Sequence, residues 1–126
     1  MHIKGHRFLI YLCLTLLLVG CSNKEEATTF LELTFKSDRS VVKVDEVFTL
    51  TAEVAYGDED ISEGTIVEFE FIENGISLGS VNPNDVGDGV YELDMKLLST
   101  GEHIIVAHAS YEESYQTDFI IFNVEE

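Results

Sequence analysis

A period of two constrains this chain more than any other feature. Phe48, Leu50, Ala52, Val54 and Tyr56 alternate with Thr49, Thr51, Glu53 and Ala55. Successive side chains of an extended strand point to opposite faces, so such a segment buries one face and wets the other. The alternation returns in Leu31, Leu33 and Phe35, in Val67, Phe69 and Phe71, and in Tyr91, Leu93 and Met95. Ile76 to Val81, His103 to Ala109 and Tyr115 to Val124 complete the set. Turn residues separate them, at Ser37 to Ser40, Gly57 to Asp60, Asn74-Gly75, Asn82 to Gly89 and Ser110 to Ser114. Asn74-Gly75 is a hairpin signal, because both central residues of a type I′ turn need positive φ. No segment has helical period, and about seven strands with regular turns predict an all-β antiparallel sandwich. A slip of one residue would turn Glu68 and Glu70 inward and Phe69 outward, so the register is expected to be firm. Ile104 to Val106 and Phe119 to Phe122 are apolar in succession. Either both faces are covered there, or one face meets a partner.

The first residues read differently. His2, Lys4, His6 and Arg7 form a basic start, and Phe8 to Val19 is an apolar run of twelve residues broken only by Thr15. A spanning helix needs roughly 17 to 25 residues, so the run fits the core of a secretory signal instead. It ends at Leu18-Val19-Gly20-Cys21, a lipobox. There the Cys21 thiol takes a diacylglyceryl group, and small Gly20 admits the peptidase. The alternative is a signal peptide cleaved elsewhere, with Cys21 an ordinary thiol. On the first reading, residues 1–20 are a lipoprotein signal peptide and residues 21–29 the lipidated cysteine and a flexible tether. Residues 30–126 are then the folded domain. Stable anchoring takes about two acyl chains, which diacylglycerol supplies with or without a further N-acyl chain. The expected location is the extracytoplasmic side of the cell membrane, held by lipid.

Removing the leader leaves 106 residues, enough for one domain with a real core. Cys13 goes with the leader and Cys21 with the lipid, so no disulfide or thiolate metal site is expected. All 24 acidic residues follow the leader, against Lys24, Lys36, Arg39, Lys43 and Lys96. Such a surface repels nucleic acid and anionic headgroups. It suits a cationic partner or metal ion, or plain solubility in a salty or alkaline medium.

Residues 31 to 124 resemble the YtkA-like domain of bacterial lipoproteins and membrane proteins. The matching pieces are Val44-Asp45-Glu46-Val47-Phe48-Thr49-Leu50-Thr51, Val67-Glu68-Phe69-Glu70-Phe71, Gly87-Asp88-Gly89-Val90-Tyr91 and Gly101-Glu102-His103-Ile104-Ile105-Val106. The resemblance implies an immunoglobulin-like sandwich and suggests copper handling, through His and Met near the last hairpin. Here that hairpin, Ala107 to Tyr115, has one His and no Met, fewer soft ligands than copper takes.

Candidate sites follow. His103, His108 and Met95 are the metal candidates. His103 and His108 are five apart on one strand, so they face opposite ways and cannot share an ion directly. Otherwise His103 is a strand-opening corner residue and His108 an ordinary strand position. Asn82 to Gly89 is rich in oxygen ligands but fails the EF-hand pattern, since Val86 and Leu93 occupy ligand places. A looser calcium site with Asp58 or Asp60, or a plain turn-rich loop, remains. Tyr111, Glu112, Glu113 and Tyr115 form a candidate binding loop at one sandwich end, where such folds bind; the bland reading is edge tyrosines on a hairpin. No nucleophile elbow, phosphate loop or zinc helix occurs. The expectation is a membrane-anchored, non-catalytic binding or scaffolding module that needs no cofactor. Its partner would be an envelope protein or other extracytoplasmic component. Metal (copper) handling is the alternative.

Overall fold

A computed structural model describes residues 30–57 and 59–126; the lipobox cysteine Cys21, the leader, the tether and Asp58 lie outside them. Among the described residues nine strands form: β1 (Leu31–Ser37), β2 (Phe48–Tyr56), β3 (Glu59–Asp60), β4 (Thr65–Glu73), β5 (Ile76–Val81), β6 (Asn84–Gly87), β7 (Val90–Met95), β8 (Gly101–Tyr111) and β9 (Ser114–Val124). One sheet runs β1-β2-β7-β6, with β3 paired to β2, and the other runs β5-β4-β8-β9. All named pairings are antiparallel. This is a two-layer antiparallel sandwich of immunoglobulin-like type, with the short β3 continuing the β7 side of β2.

The alternation in sequence is the alternation in space. Phe48, Leu50, Ala52 and Val54 of β2 are buried, as are Val67 and Phe69 of β4 and Ile105, Ala107 and Ala109 of β8. Glu68 is exposed beside buried Phe69, so the register is the expected one. Three aromatic pairs join the layers among the described residues, Tyr56 with Tyr111 at one end and two within the core. Phe35 meets Phe69 at 4.9 Å and Phe48 meets Phe122 at 5.1 Å between ring centroids, each worth about 0.5–1.5 kcal/mol beyond the area it buries. The connection from β1 to β2 crosses between layers. Val42 is buried, and the Val44 amide donates to the Glu125 carbonyl at 2.8 Å.

Two strands exceed the sequence expectation of about seven. β3 is two residues long. β6 corrects the reading of Asn82 to Gly89 as one loop: Asn84–Gly87 pairs with β7. The reason is Asp88-Gly89, whose φ values of 55° and 74° are both positive, as a type I′ hairpin requires. Gly89 is also wedged in place. A Cβ there would lie 2.4 Å from the Val54 carbonyl oxygen, and the Gly89 amide donates to Ser62 Oγ at 3.0 Å. The turn expected over Ser110 to Ser114 is tighter too, because Tyr111 pairs with Ser114 and only Glu112 and Glu113 lie between.

The two ends of the sandwich differ in charge. At one end lie the start of β1, the segment between β2 and β4, and the β6–β7 and β8–β9 turns. It carries Glu59, Asp60, Glu63, Asp88, Glu112 and Glu113. The described basic residues sit toward the other end. Lys36 lies near the end of β1, Lys43 in the crossing connection, Arg39 against Glu46 at 3.1 Å and Lys96 against Asp45 at 3.0 Å.

Candidate functional site

The solvent face of the β5-β4-β8-β9 sheet brings together side chains from all four strands. Pairing sets Glu68 opposite His108, and Ser110 opposite Tyr115. Glu70, two residues from Glu68, therefore lies diagonal to His108 on one side, and Tyr115 lies diagonal to it on the other. His108 Nε2 is 3.0 Å from Glu70 Oε1, and Ser77 of β5 donates to Glu70 Oε2 at 2.7 Å. The Tyr115 hydroxyl bonds His108 Nδ1, and the two rings stack at 6.0 Å and 30°. A continuous polar chain, Ser77–Glu70–His108–Tyr115, thus crosses the sheet.

The hydrogen bond from Ser77 and then that from His108 hold the Glu70 carboxyl below its ordinary value of 4.5. A neutral imidazole would donate from Nε2 to Glu70 and accept the tyrosine proton at Nδ1. An imidazolium would donate at both nitrogens. Either form fixes the Tyr115 ring. Around the chain is an open hollow of about 370 Å³, lined by Ile66, Glu68, Glu70, Ser80, His108 and Tyr115. Carboxylates beside an aromatic face suit a cationic group. The in-line carboxylate, imidazole and hydroxyl could also move a proton.

A second network occupies the other end of the same two inner strands. His103 is only 6 % exposed. Its Nε2 donates to the Ser99 carbonyl at 3.0 Å and lies 3.2 Å from Ser99 Oγ, which donates to Glu73 Oε1 at 2.7 Å. Because the serine proton goes to the carboxylate, the imidazole works as a clasp on the β7–β8 loop. Phe71, Leu78, Met95, Leu97, Leu98 and His103 line an apolar hollow of about 360 Å³ beside it.

The metal candidates therefore divide. Met95 and His103 share the apolar hollow, while His108 stands on the opposite face of β8, as the odd separation requires. No cluster of three or more His, Cys, Asp or Glu suited to a metal ion occurs among the described residues. In the Asn82 to Gly89 segment, Asp85 Oδ1 accepts from the Gly87 amide at 2.9 Å, a local turn bond. The candidate loop at the β8–β9 hairpin divides as well. Tyr111 is half-buried against Tyr56, with centroids 4.9 Å apart. Glu112 and Glu113 form the exposed turn, and Tyr115 is exposed on the sheet's solvent face. Sequence reasoning missed Glu70, Ser77, Glu73 and Ser99. Only Ser99, four residues before His103, had a local signal.

No family model matches this chain, and no curated protein matches it. Solved structures do. An endo-β-1,4-mannanase from Thermotoga petrophila superposes with a TM-score of 0.57 at 14% identity, over 82% of this chain and 21% of that one. This chain thus spans about a fifth of the mannanase's length. A superoxide reductase (neelaredoxin) from Ignicoccus hospitalis superposes with a TM-score of 0.56 at 18% identity, over 79% of this chain and 84% of that one. At such identities the likeness is one of fold.

Proposed function

We propose that this chain is a membrane-anchored extracytoplasmic lipoprotein whose immunoglobulin-like domain binds or scaffolds and does no chemistry. Residues 1–20 would direct export, and Cys21 would carry the lipid. The observation that carries the binding role is the bare face of the β5-β4-β8-β9 sheet. Phe119 is 59 % exposed and Ile121 49 %, in a chain of net charge −17. Val106 pairs with Phe119 and Ile104 with Ile121, so these side chains form one patch. Contiguous exposed apolar surface on an otherwise charged protein marks an interaction site. The end loops supply less: the β8–β9 tip is two glutamates, and β6 takes up half of the other loop. A photo-reactive residue at Phe119 should capture one specific neighbour in intact cells, and capture of none counts against the proposal. Metal handling draws less support, since His103 is engaged by Ser99 and His108 by Glu70 and Tyr115. The resemblance to superoxide reductase is one of fold and adds no ligand to either histidine.

A further inference from the structure

We infer that β5 is the docking edge of this face, and that its occupant is an extended segment of alternating basic and apolar residues, added as a fifth strand. This rests on the proposed binding role of the β5-β4-β8-β9 sheet. β5 ends that sheet and pairs only with β4 among the described residues. Its six residues, Ile76-Ser77-Leu78-Gly79-Ser80-Val81, are all exposed, and none is charged or proline. Proteins ordinarily blunt such an edge with lysine, proline, a bulge or a covering element, because its unpaired backbone groups will template another strand, and of these β5 has a bulge alone. The one irregularity here leaves Leu78 outside the pairing. Leu78 is 64 % exposed and lines the apolar hollow.

The hollows on the two sides of this edge define the occupant. On the solvent face, Ser80 of β5 borders the hollow that holds Glu68, Glu70 and Tyr115. Toward the sheet interior, Leu78 borders the hollow lined by Phe71, Met95, Leu97 and Leu98. A strand's side chains alternate between faces, so a strand laid along β5 would offer every second residue to each hollow. The acidic side selects arginine or lysine, and the apolar side selects valine, leucine or isoleucine. Strands lie about 4.8 Å apart, which puts a new strand about 10 Å from β4; an arginine on it and the Glu70 side chain can meet by reaching toward each other across β5. A second copy of the chain fits poorly. It would bring a net charge of −17 against −17 over six residues of edge, whereas a basic segment relieves that field. Strand addition of this kind takes affinity from the backbone and specificity from alternate side chains.

The test uses the intact protein and three capped octapeptides: alternating Arg-Val, alternating Glu-Val, and all-Arg. The Arg-Val probe should bind, slow amide hydrogen exchange across Ile76–Val81, and weaken with rising salt. Leu78→Lys should weaken that binding at least tenfold. Glu68→Gln combined with Glu70→Gln should flatten its salt dependence while leaving the fold intact. No slowing at β5, slowing at another strand instead, or equal binding by the all-Arg probe would overturn the inference. If the probe fails while a cross-linker at Phe119 still finds a specific neighbour, strand addition falls and the binding role stands. If both fail, both fall.

Discussion

Gly89 and Gly75 both occupy hairpin turns at φ near +75°, yet they answer to different constraints. A Cβ at Gly75 meets nothing within 4 Å, whereas at Gly89 it would strike the Val54 carbonyl oxygen. Gly75→Ala should therefore cost only the backbone strain, about 1 kcal/mol, and Gly89→Ala about 3 kcal/mol or more. Urea denaturation of the two variants measures the difference. Glu70 makes a second residue-scale claim. Its carboxyl is held below 4.5 by Ser77 and His108, so the folded state favours the ionised form. That stability is present above the unfolded value and is lost as pH falls through the lower folded value. Wild type should lose stability faster than Glu70→Gln as pH drops below 4.5, a trend that urea midpoints across pH would reveal. Little of the Ser77–Glu70–His108–Tyr115 chain was legible in the sequence. Glu70 and His108 are 38 residues apart, and only the pairing of β4 with β8 makes them neighbours.

The strands were legible because their signal is local. Phe48 to Tyr56 announced both its conformation and its buried face, and β2 has the predicted limits. β6 escaped because Asn84–Gly87 offers one large apolar residue, Val86, and no alternation. Its signal lay instead in Asp88-Gly89, a turn pair as telling as Asn74-Gly75. The β8–β9 hairpin has a weaker turn. Glu112 sits at φ 54°, a conformation that asparagine tolerates better than glutamate. Glu112→Asn should stabilise the hairpin by about 0.5 kcal/mol. A rise in the thermal midpoint, with unchanged hydrogen-exchange protection in β4, would bear this out. No rise would mean that the turn is already relaxed.

For the whole molecule, the distinction that matters is between surface that holds the fold and surface that does not. Phe119 and Ile121 are large, apolar and exposed on the solvent face of β9. Replacing both with serine should change stability by no more than about 0.5 kcal/mol per site, yet abolish capture of a neighbour by a probe placed at Tyr115. Loss of stability by several times that amount would make the patch part of the fold. The uneven ends of the sandwich carry a last consequence. Acid stands unopposed at the end where β1 begins, whereas the described lysines and arginine offset part of the acid at the opposite one, so negative charge is spread unevenly along the long axis. If Cys21 moors the β1 end to an anionic bilayer, repulsion would drive the acidic tip off the surface and swing the less acidic end toward it. Fresh water would strengthen that swing, and brine would screen it.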